Sequence, residues 1–392
     1  MSRSGVVGAA RKSRGRVRLN LTPTAAMTIG GAPVGDVTET TAPAVLTVDL
    51  GAIVANWRAL HRPGGPAVSG VIKADAYGTG ARQVSRALYD AGCRHFFVAW
   101  LQEALAIRAQ VPDAMVAVLG GLIPGSEGEY SAHRITPVLG TLDEIDRWRR
   151  VGQGRAILHV DTGMSRLGLT ARELDVLADD PARLGQPPLF VMSHLVSSEI
   201  PDDRLNPVQL AQFNAARSKL PASPASLANS SGIFLGQDYG FDLVRPGAAL
   251  YGINPTPDAP NPMRPVVRLS ARVLSVRDIS PGDTVGYNAA WAAARPTRIA
   301  TAALGYADGF LRSLSGRAVA CFDGTPVPLV GRVSMDLTTF DVTDYPTIRP
   351  GNWLDVLGPH LTADQVAAAA RTNGYEILTS LGPRYQRVYL PA

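Results

Sequence analysis

Between residues 44 and 250 the chain alternates short apolar runs with longer amphipathic stretches. Stretches such as ARQVSRALYDAG and NPVQLAQFNAARSKL carry apolar residues every three or four positions, which is the spacing of helices. The runs between them are rich in β-branched and aromatic residues, which favour strands. They are AVSGVIK (67–73), HFFVAW (95–100), MVAVLG (115–120), ITPVLG (135–140), AILHVD (156–161), LFVMSHL (189–195), ASLAN (225–229) and FDLVR (241–245).

This alternation predicts parallel strands joined by helical crossovers. Eight strand–helix units over about 180 residues match a (β/α)8 barrel, although a doubly wound open sheet has the same local pattern. The count favours the barrel, an α/β fold that we place at residues 44–250. An extended segment, AVLTVDL (44–50), precedes the eight units and is a candidate to pair with the second half of the chain.

The pattern changes after residue 250. Prolines concentrate between residues 246 and 265, and because they prevent regular strand pairing we predict a linker over 251–265. Strand-like segments follow, with a hairpin signal at Asp323-Gly324 and a helical LTADQVAAAARTNG that Thr362 would cap. Residues 266–392 are therefore predicted as a smaller, mainly β domain.

The positive charge of the chain is concentrated at its beginning. Residues 1–26 contain six basic residues and no acid, so the remaining chain has 32 Lys and Arg against 33 Asp and Glu. We interpret residues 1–43 as a disordered basic leader, and the nearly neutral remainder argues against a nucleic-acid partner. No stretch has the roughly 20 apolar residues of a membrane span.

The two cysteines, Cys93 and Cys321, provide neither a disulfide framework nor zinc-ligand spacing. With no secretory signal visible, this cysteine usage indicates a reducing, cytoplasmic location and predicts no metal site.

Polar residues stand where the predicted barrel strands end. Barrel enzymes place their chemistry at the carboxyl ends of the strands. Each such residue has an ordinary structural explanation when taken alone, but their common position favours one functional site. They are Lys73, Arg166, Ser193, His194, Asn229, Ser230, Ser231 and Arg245.

The loops after strands seven and eight of a barrel often bind phosphate. Here they supply the Ser230 hydroxyl and the backbone of Gly247 and Ala248. Lys73, on the opposite side of the same rim, could attach covalently to the aldehyde of a pyridoxal phosphate whose phosphate occupies that site.

These residues lie in motifs that resemble the alanine racemase family. The motifs occur in the family's order and extend from about residue 44 to the C-terminus, so the resemblance is specific for the family and less specific for the substrate. They are IKADAYGTGA, HVDTGMSRLGL, MSHLVSSE, LANSSGI, LVRPGAALYG, LGYADGF and GRVSMD.

The resemblance implies a pyridoxal-phosphate enzyme that interconverts L- and D-alanine and supplies D-alanine for peptidoglycan. It also implies a head-to-tail homodimer in which the β domain of each subunit completes the active site of the other. Lys73 would hold the cofactor and Tyr306 would be the second base, while Arg166 and Met335 would bind the substrate. The remaining cofactor contacts would come from Tyr77, His194, Asn229, Ser230, Arg245, Gly247 and Ala248.

The expected pair of bases agrees with the chemistry. Inverting an α-carbon requires removing a proton from one face and returning one to the other, so two proton carriers must flank the cofactor. Lys73 and Tyr306 both have ordinary pKa values near 10, so neighbours must lower one of them. Because a guanidinium stays protonated, Arg245 facing the pyridine nitrogen would keep that nitrogen unprotonated.

Two departures from the family pattern stand out. Many members carry a lysine, often carbamylated, seven residues before the substrate-binding arginine, and here that position is His159. An anion or a carbonyl would then have to orient Arg166. The family's tyrosine before R-V-P aligns with Pro383, so Tyr385 is our candidate for that role near the phosphate and the entrance. Thr79 replaces a frequent histidine.

Other functions remain open at this stage. A broad-specificity amino-acid racemase is the nearest alternative. A pyridoxal-phosphate carrier without turnover would need no second domain. The decarboxylases of basic amino acids share the barrel and β domain, but their specificity motifs are not seen here, and Tyr306 in GYADG points to a second base.

Overall fold

The structure is a computed structural model that describes residues 41–151 and 154–392. The predicted leader lies outside these ranges for residues 1–40. The described strands are β1 (Ala44–Asp49), β2 (Ala67–Val68), β3 (Gly70–Val71), β4 (His95–Val98), β5 (Met115–Val118), β6 (Thr136–Leu139), β7 (Ile157–His159), β8 (Phe190–Met192), β9 (Ala225–Ser226), β10 (Leu243–Val244), β11 (Val267–Ile279), β12 (Thr284–Val285), β13 (Trp291–Ala292), β14 (Thr297–Ala302), β15 (Val319–Phe322), β16 (Thr325–Val330), β17 (Thr338–Asp341), β18 (Trp353–Leu357) and β19 (Gln386–Leu390). The helices are α1 (Leu50–Ala59), α2 (Lys73–Tyr77), α3 (Ala81–Asp90), α4 (Leu101–Ile107), α5 (Glu127–Ala132), α6 (Leu142–Val151), α7 (Ala171–Asp179), α8 (Leu205–Ser218), α9 (Ala363–Ala370) and α10 (Gly374–Thr379).

The first half forms the predicted barrel. Strands β3 to β9 pair in parallel in chain order, and β10 pairs in parallel with β2. The ring closes through backbone hydrogen bonds, because Asp242 donates to the Ala225 carbonyl (3.1 Å) and Ser69 donates to the Val244 carbonyl (3.0 Å). All eight predicted apolar runs contain strand residues, and the barrel prediction is confirmed.

The barrel strands are apolar on both faces because helices cover them outside and side chains fill them inside. Consecutive residues in β4, β5 and β6 are buried, as in the run Phe96–Val98. Helix α3 turns Val84 and Leu88 inward at helical spacing. Helix α7 begins at a capping box, in which Thr170 and Glu173 satisfy each other's backbone N–H groups.

The second half contributes most of an eight-stranded sheet in the order β14-β17-β16-β15-β18-β11-β1-β19. Strand β1 pairs antiparallel with β11 and parallel with β19, so the start of the described chain belongs to this sheet. The hairpin between β15 and β16 turns at Asp323-Gly324, and Thr362 caps α9 by accepting from the Gln365 N–H. Both local predictions are confirmed, as is a mainly β second part.

Helix α1 fastens the proline-rich stretch that leads from the barrel rim to β11. The buried Asn56 side chain donates to the carbonyls of Leu250 (3.2 Å) and Arg264 (3.0 Å), and it accepts from the Arg264 N–H (2.8 Å). This fixes the exit of the chain from the barrel. Across residues 41–151 and 154–392, no helix has the length and apolar character needed to cross a membrane.

Candidate active site

A cavity of about 340 Å³ opens at the carboxyl ends of the barrel strands. It brings together most of the residues singled out from the sequence, although they come from loops up to 175 positions apart. The predicted residues that line it are Lys73, Tyr77, His194, Asn229, Ser230, Arg245, Gly247 and Ala248. Ser231, also named from the sequence, lines the cavity too, and Val71, Ala74, Leu119, Tyr375 and Thr379 complete the lining.

Lys73 stands at the start of α2, whose following residues have left-handed backbone. Ala74, Asp75, Ala76 and Tyr77 all have φ near +53° or +54°, a conformation that costs about 1–2 kcal/mol per non-glycine residue. Several hydrogen bonds hold this turn. The Glu103 carboxylate accepts from the Ala74 N–H at 2.6 Å, and the Asp75 carboxylate accepts from the Ala81 N–H at 2.7 Å. The strained turn therefore fixes where the lysine leaves the backbone.

The environment of Lys73 favours its neutral amine. Burial lowers its pKa, the nearby Arg166 cation lowers it further, and the Glu103 carboxylate opposes both. A lysine with a lowered pKa can act as a nucleophile and can carry a proton. Glu103 thus contacts the lysine's turn and opposes the fall of its pKa, and no sequence signal had pointed to it.

Hydroxyl and backbone N–H groups cluster at one end of the cavity. The Ser230 hydroxyl accepts from the N–H groups of Gly247 (3.0 Å) and Ala249 (3.2 Å). The Tyr77 hydroxyl lies so close that a Cβ at position 247 would be 2.3 Å from it, which requires glycine there. The Ser230 and Tyr77 hydroxyls can rotate their hydrogens towards an anion, so this part of the cavity fits a phosphate.

The lining of the cavity also includes a buried cation. Arg245 donates to the Ser226 hydroxyl (2.5 Å) and to the backbone carbonyl of Ser193, and burial lowers its pKa to about 10. It nevertheless remains charged at neutral pH. Burial and the Arg245 cation lower the pKa of His194 to about 3, so this imidazole is neutral.

Arg166 lies beside the cavity in an adjoining depression of about 210 Å³ that also contains His159. Burial and Arg245 lower the pKa of His159 to about 4, so His159 is neutral and supplies no negative charge. The Asp161 carboxylate fixes the backbone just before Arg166, because it accepts from the N–H groups of Gly163 and Met164, both at 2.9 Å.

Tyr306 and Met335 do not line the cavity of their own chain. Tyr306 is 42% exposed and Met335 is 53% exposed, and they lie together because the Ala307 N–H donates to the Met335 carbonyl (3.0 Å). The subunit thus separates the two expected bases into a barrel cavity and a surface of the β half.

Tyr385 is not among the residues that line the cavity. It is 6% exposed, and its hydroxyl donates to the backbone carbonyl of Asp308. Tyr375 of α10 lines the cavity instead, with its ring centroid 6.2 Å from that of Tyr77. No sequence pattern had pointed to Tyr375, because it follows no barrel strand.

The family models of the alanine racemase N-terminal and C-terminal domains match residues 48–255 and 266–389. The chain belongs to the alanine racemase family. This confirms the expected resemblance. The family is one of pyridoxal-phosphate-dependent racemases, so the expected enzyme class and cofactor are confirmed at the level of the family.

Individual relatives agree. The alanine racemase of Acidiphilium cryptum is 53% identical over 348 residues, covering 88% of this chain and 98% of that protein. The alanine racemase of Brucella abortus is 45% identical and covers 88% of this chain and 93% of its own length. Among solved structures, alanine racemase from Bartonella henselae with covalently bound pyridoxal phosphate has 42% identity and a TM-score of 0.85, over 89% of this chain and all of that one. Biosynthetic alanine racemase from Pseudomonas aeruginosa has 34% identity and a TM-score of 0.84, over 89% of this chain and 99% of its own.

Proposed function

We propose that this chain interconverts L- and D-alanine with pyridoxal 5′-phosphate, using Lys73 and Tyr306 as two bases, and so supplies D-alanine for peptidoglycan. The observation that carries the proposal is the cavity itself. A lysine with a lowered pKa on a strained turn and a cluster of anion donors share one chamber in a member of the alanine racemase family.

The residues present fit this cofactor. Lys73 would attach it, and the Tyr77 and Ser230 hydroxyls with the backbone of Gly247 and Ala248 would hold its phosphate. When bound, the cofactor withdraws electrons from the α-carbon and so acidifies the α-hydrogen. Asn229 would stabilise the loop that contains Ser230, since its side-chain oxygen accepts from the Gly232 N–H at 2.9 Å.

Arg245 would face the ring nitrogen, and His194 would lie against the ring. A buried guanidinium fixed by Ser226 offers that nitrogen only donors, which keeps it unprotonated. His194 is neutral, so it adds no second positive charge. Weaker electron withdrawal disfavours proton delivery to the cofactor carbon, and transamination with it.

Two groups would move the α-proton. Lys73 Nζ would serve one face of the substrate, and its lowered pKa keeps a share of the amine ready to accept a proton. Tyr306 Oη of a second subunit would serve the other face, because Tyr306 is exposed and away from the cavity of its own chain. Arg166 would bind the substrate carboxylate with help from the Met335 backbone of that second subunit.

Exposed apolar side chains support a head-to-tail dimer. Trp100, Ile123 and Ile200 are 51%, 55% and 53% exposed in the loops that follow barrel strands. In the β half, Tyr287 is 67% exposed, and Tyr306 and Met335 are exposed as well. Covering each set with the other would bury apolar area and would complete two sites.

Subunit mixing tests the shared site. We expect Lys73→Ala and Tyr306→Phe to be inactive separately. If unfolded together and refolded as random dimers, they should recover about a quarter of wild-type activity, because half of the dimers carry one intact site of two. Each variant refolded alone is the control. No recovery in a mixture shown by sedimentation to contain heterodimers would refute sharing.

Substrate range decides between this function and a broad-specificity racemase. Rates of D/L interconversion for alanine, serine and lysine should favour alanine, and comparable rates for all three would support the alternative. Borohydride treatment should fix the cofactor on the peptide that contains Lys73. A protein that takes up no cofactor would overturn the whole proposal.

A further inference from the structure

The Tyr306 loop (residues 304–310) and the Met335 loop (residues 331–337) lie against each other without a covalent link. The Tyr306 N–H donates to the Ser334 carbonyl at 2.9 Å. A Cβ at Gly305 would lie 2.2 Å from the Met335 carbonyl oxygen, so the two backbones are in direct contact. Each loop carries one residue that the proposed function sends into the other subunit.

A third segment, the C-terminal loop (residues 380–385), contacts both. Arg384 Nε donates to Asp308 Oδ1 at 2.6 Å, and Arg384 Nη1 donates to Asp336 Oδ1 at 2.7 Å. Asp308 is two residues after Tyr306, and Asp336 directly follows Met335. One guanidinium therefore bridges the two loops by two different nitrogen atoms, which a single ammonium group cannot reproduce.

The Asp308 carboxylate leaves little freedom in this arrangement. Its side chain is 9% exposed, and its second oxygen accepts from the Gly305 N–H at 2.9 Å. The backbone carbonyl of Asp308 also accepts from the Gly382 N–H (3.0 Å) and from the Tyr385 hydroxyl. Both carboxylate oxygens thus have donors, one from the Gly305 N–H and one from Arg384, and removal of Arg384 would leave a buried charge without its cation.

We propose that Arg384, through Asp308 and Asp336, is a positioning residue that sets the Tyr306 hydroxyl for proton transfer. Tyr385 belongs to the same arrangement as a buried support and does not contact the cofactor. This inference rests on the proposed function, because it assigns Arg384 a part in the step performed by Tyr306.

Kinetics on the cofactor-loaded enzyme test the proposal. Misplacement of a reacting group by about 1 Å can cost 10²-fold, so Arg384→Ala should lower kcat by about 10- to 100-fold. Arg384→Lys should recover part of this loss. Asp308→Asn should be as damaging as Arg384→Ala, because its amide NH2 would face either Arg384 or the Gly305 N–H, both of which are donors.

The α-deuterium isotope effect separates positioning from general damage. L- and D-alanine have equal free energies, so kcat/KM must fall equally in both directions whatever the defect. If only the Tyr306 step slows, the isotope effect should rise for the enantiomer whose α-hydrogen Tyr306 removes, and should not rise for the other. Tyr306→Phe, measured beside it, should identify that enantiomer by the same asymmetry.

The matched control is Arg295→Ala, which removes an exposed ion pair to Asp344 (2.9 Å) in the same half of the chain. It should behave as wild type. Wild-type kcat in Arg384→Ala, or a lower rate with both isotope effects unchanged, would overturn the positioning role. If Arg384→Ala fails to fold, the same asymmetry is required of Arg384→Lys. Full racemisation by Tyr306→Phe would refute the proposed function itself, and the role of Arg384 with it.

Discussion

The Lys73 cavity and the Tyr306 surface differ in where their polar groups find partners. In the cavity, Lys73, Tyr77 and Arg245 are enclosed by the barrel, and burial shifts all three pKa values. On the surface, the side chains of Tyr306 and Met335 are exposed, while backbone hydrogen bonds hold their two loops together. The Lys73 cavity encloses its own binding groups, whereas the Tyr306 surface holds groups that we propose act in the second subunit. The predictions below test this division.

Removal of Lys73 should have the largest effect, because it removes both the covalent attachment and one proton carrier. Lys73→Ala should lower kcat by at least about 10⁴-fold. Absorbance of the bound cofactor and the rate of alanine racemisation measure the two losses. A variant that still racemises at a tenth of the normal rate would place the chemistry elsewhere.

Tyr306→Phe should lower kcat by about 10²- to 10⁴-fold and leave cofactor affinity unchanged, since the proposed cofactor contacts come from the barrel cavity and not from Tyr306. Compared with Lys73→Ala, this variant tests most directly whether the two regions act separately. Cofactor titration followed by absorbance, together with kcat, checks it. Weaker cofactor binding in Tyr306→Phe would show that the two regions are not independent.

Gly247→Ala should damage only the cavity. Its Cβ would lie 2.3 Å from the Tyr77 hydroxyl, and overpacking of this kind costs about 1–3 kcal/mol. Cofactor affinity should therefore fall by about 10- to 100-fold. Gly128→Ala is the control, because nothing lies within 4 Å of a Cβ there. Equal affinity in the two variants would mean that the phosphate end lies elsewhere.

The buried histidines should make folding stability depend on pH. Their ordinary pKa is 6.5, and burial lowers that of His194 to about 3 and that of His159 to about 4. Below pH 6.5 the two histidines bind protons in the unfolded chain but not in the folded chain. Their contribution to the free energy of unfolding is therefore complete above pH 6.5 and is lost as pH falls towards 4. The loss is about 1.4 kcal/mol per pH unit for each histidine.

Urea unfolding between pH 5 and pH 7.5 measures this slope. His159→Gln should reduce this slope by roughly 1.4 kcal/mol per pH unit, because it removes one histidine that takes up a proton only in the unfolded chain. An unchanged slope would show that His159 titrates normally in the folded chain.

The smallest effects are expected for Tyr375 and Tyr385, which lie ten positions apart and belong to the cavity and to the support of Tyr306, respectively. Tyr375→Phe should weaken cofactor binding about three- to tenfold, since it removes one hydroxyl from the cavity wall. Tyr385→Phe should leave cofactor binding unchanged and lower kcat slightly, because it frees the Asp308 carbonyl beneath Tyr306. The reverse result would restore Tyr385 to the cofactor site.

Much of the site followed from strand order. In a barrel all carboxyl ends meet at one rim, so finding Lys73, His194, Ser230 and Arg245 at strand ends was enough to predict that they share a chamber. Arg166 was placed beside that chamber by the same logic. These predictions needed only local periodicity and a count of strands.

Other parts of the site could not be predicted in this way. Arg384 lies 76 residues from Asp308, and no local pattern pairs them. Glu103 reaches the Lys73 turn across 29 positions and contacts backbone, which leaves no mark on the residue types involved. Motif alignment favoured Tyr385, yet the turn of the chain after α10 buries it and leaves Tyr375 at the cavity.

Patterns along the chain were enough to predict the barrel, the mainly β second part, the family and the rim residues, because periodicity and motif spacing relate residues that are close in sequence. The packing of distant segments determined which tyrosine lines the cavity, that His159 is neutral, and that Tyr306 stands outside its own subunit's chamber. Those outcomes depend on burial and on contacts between distant segments. Such contacts are fixed only when the whole chain has packed.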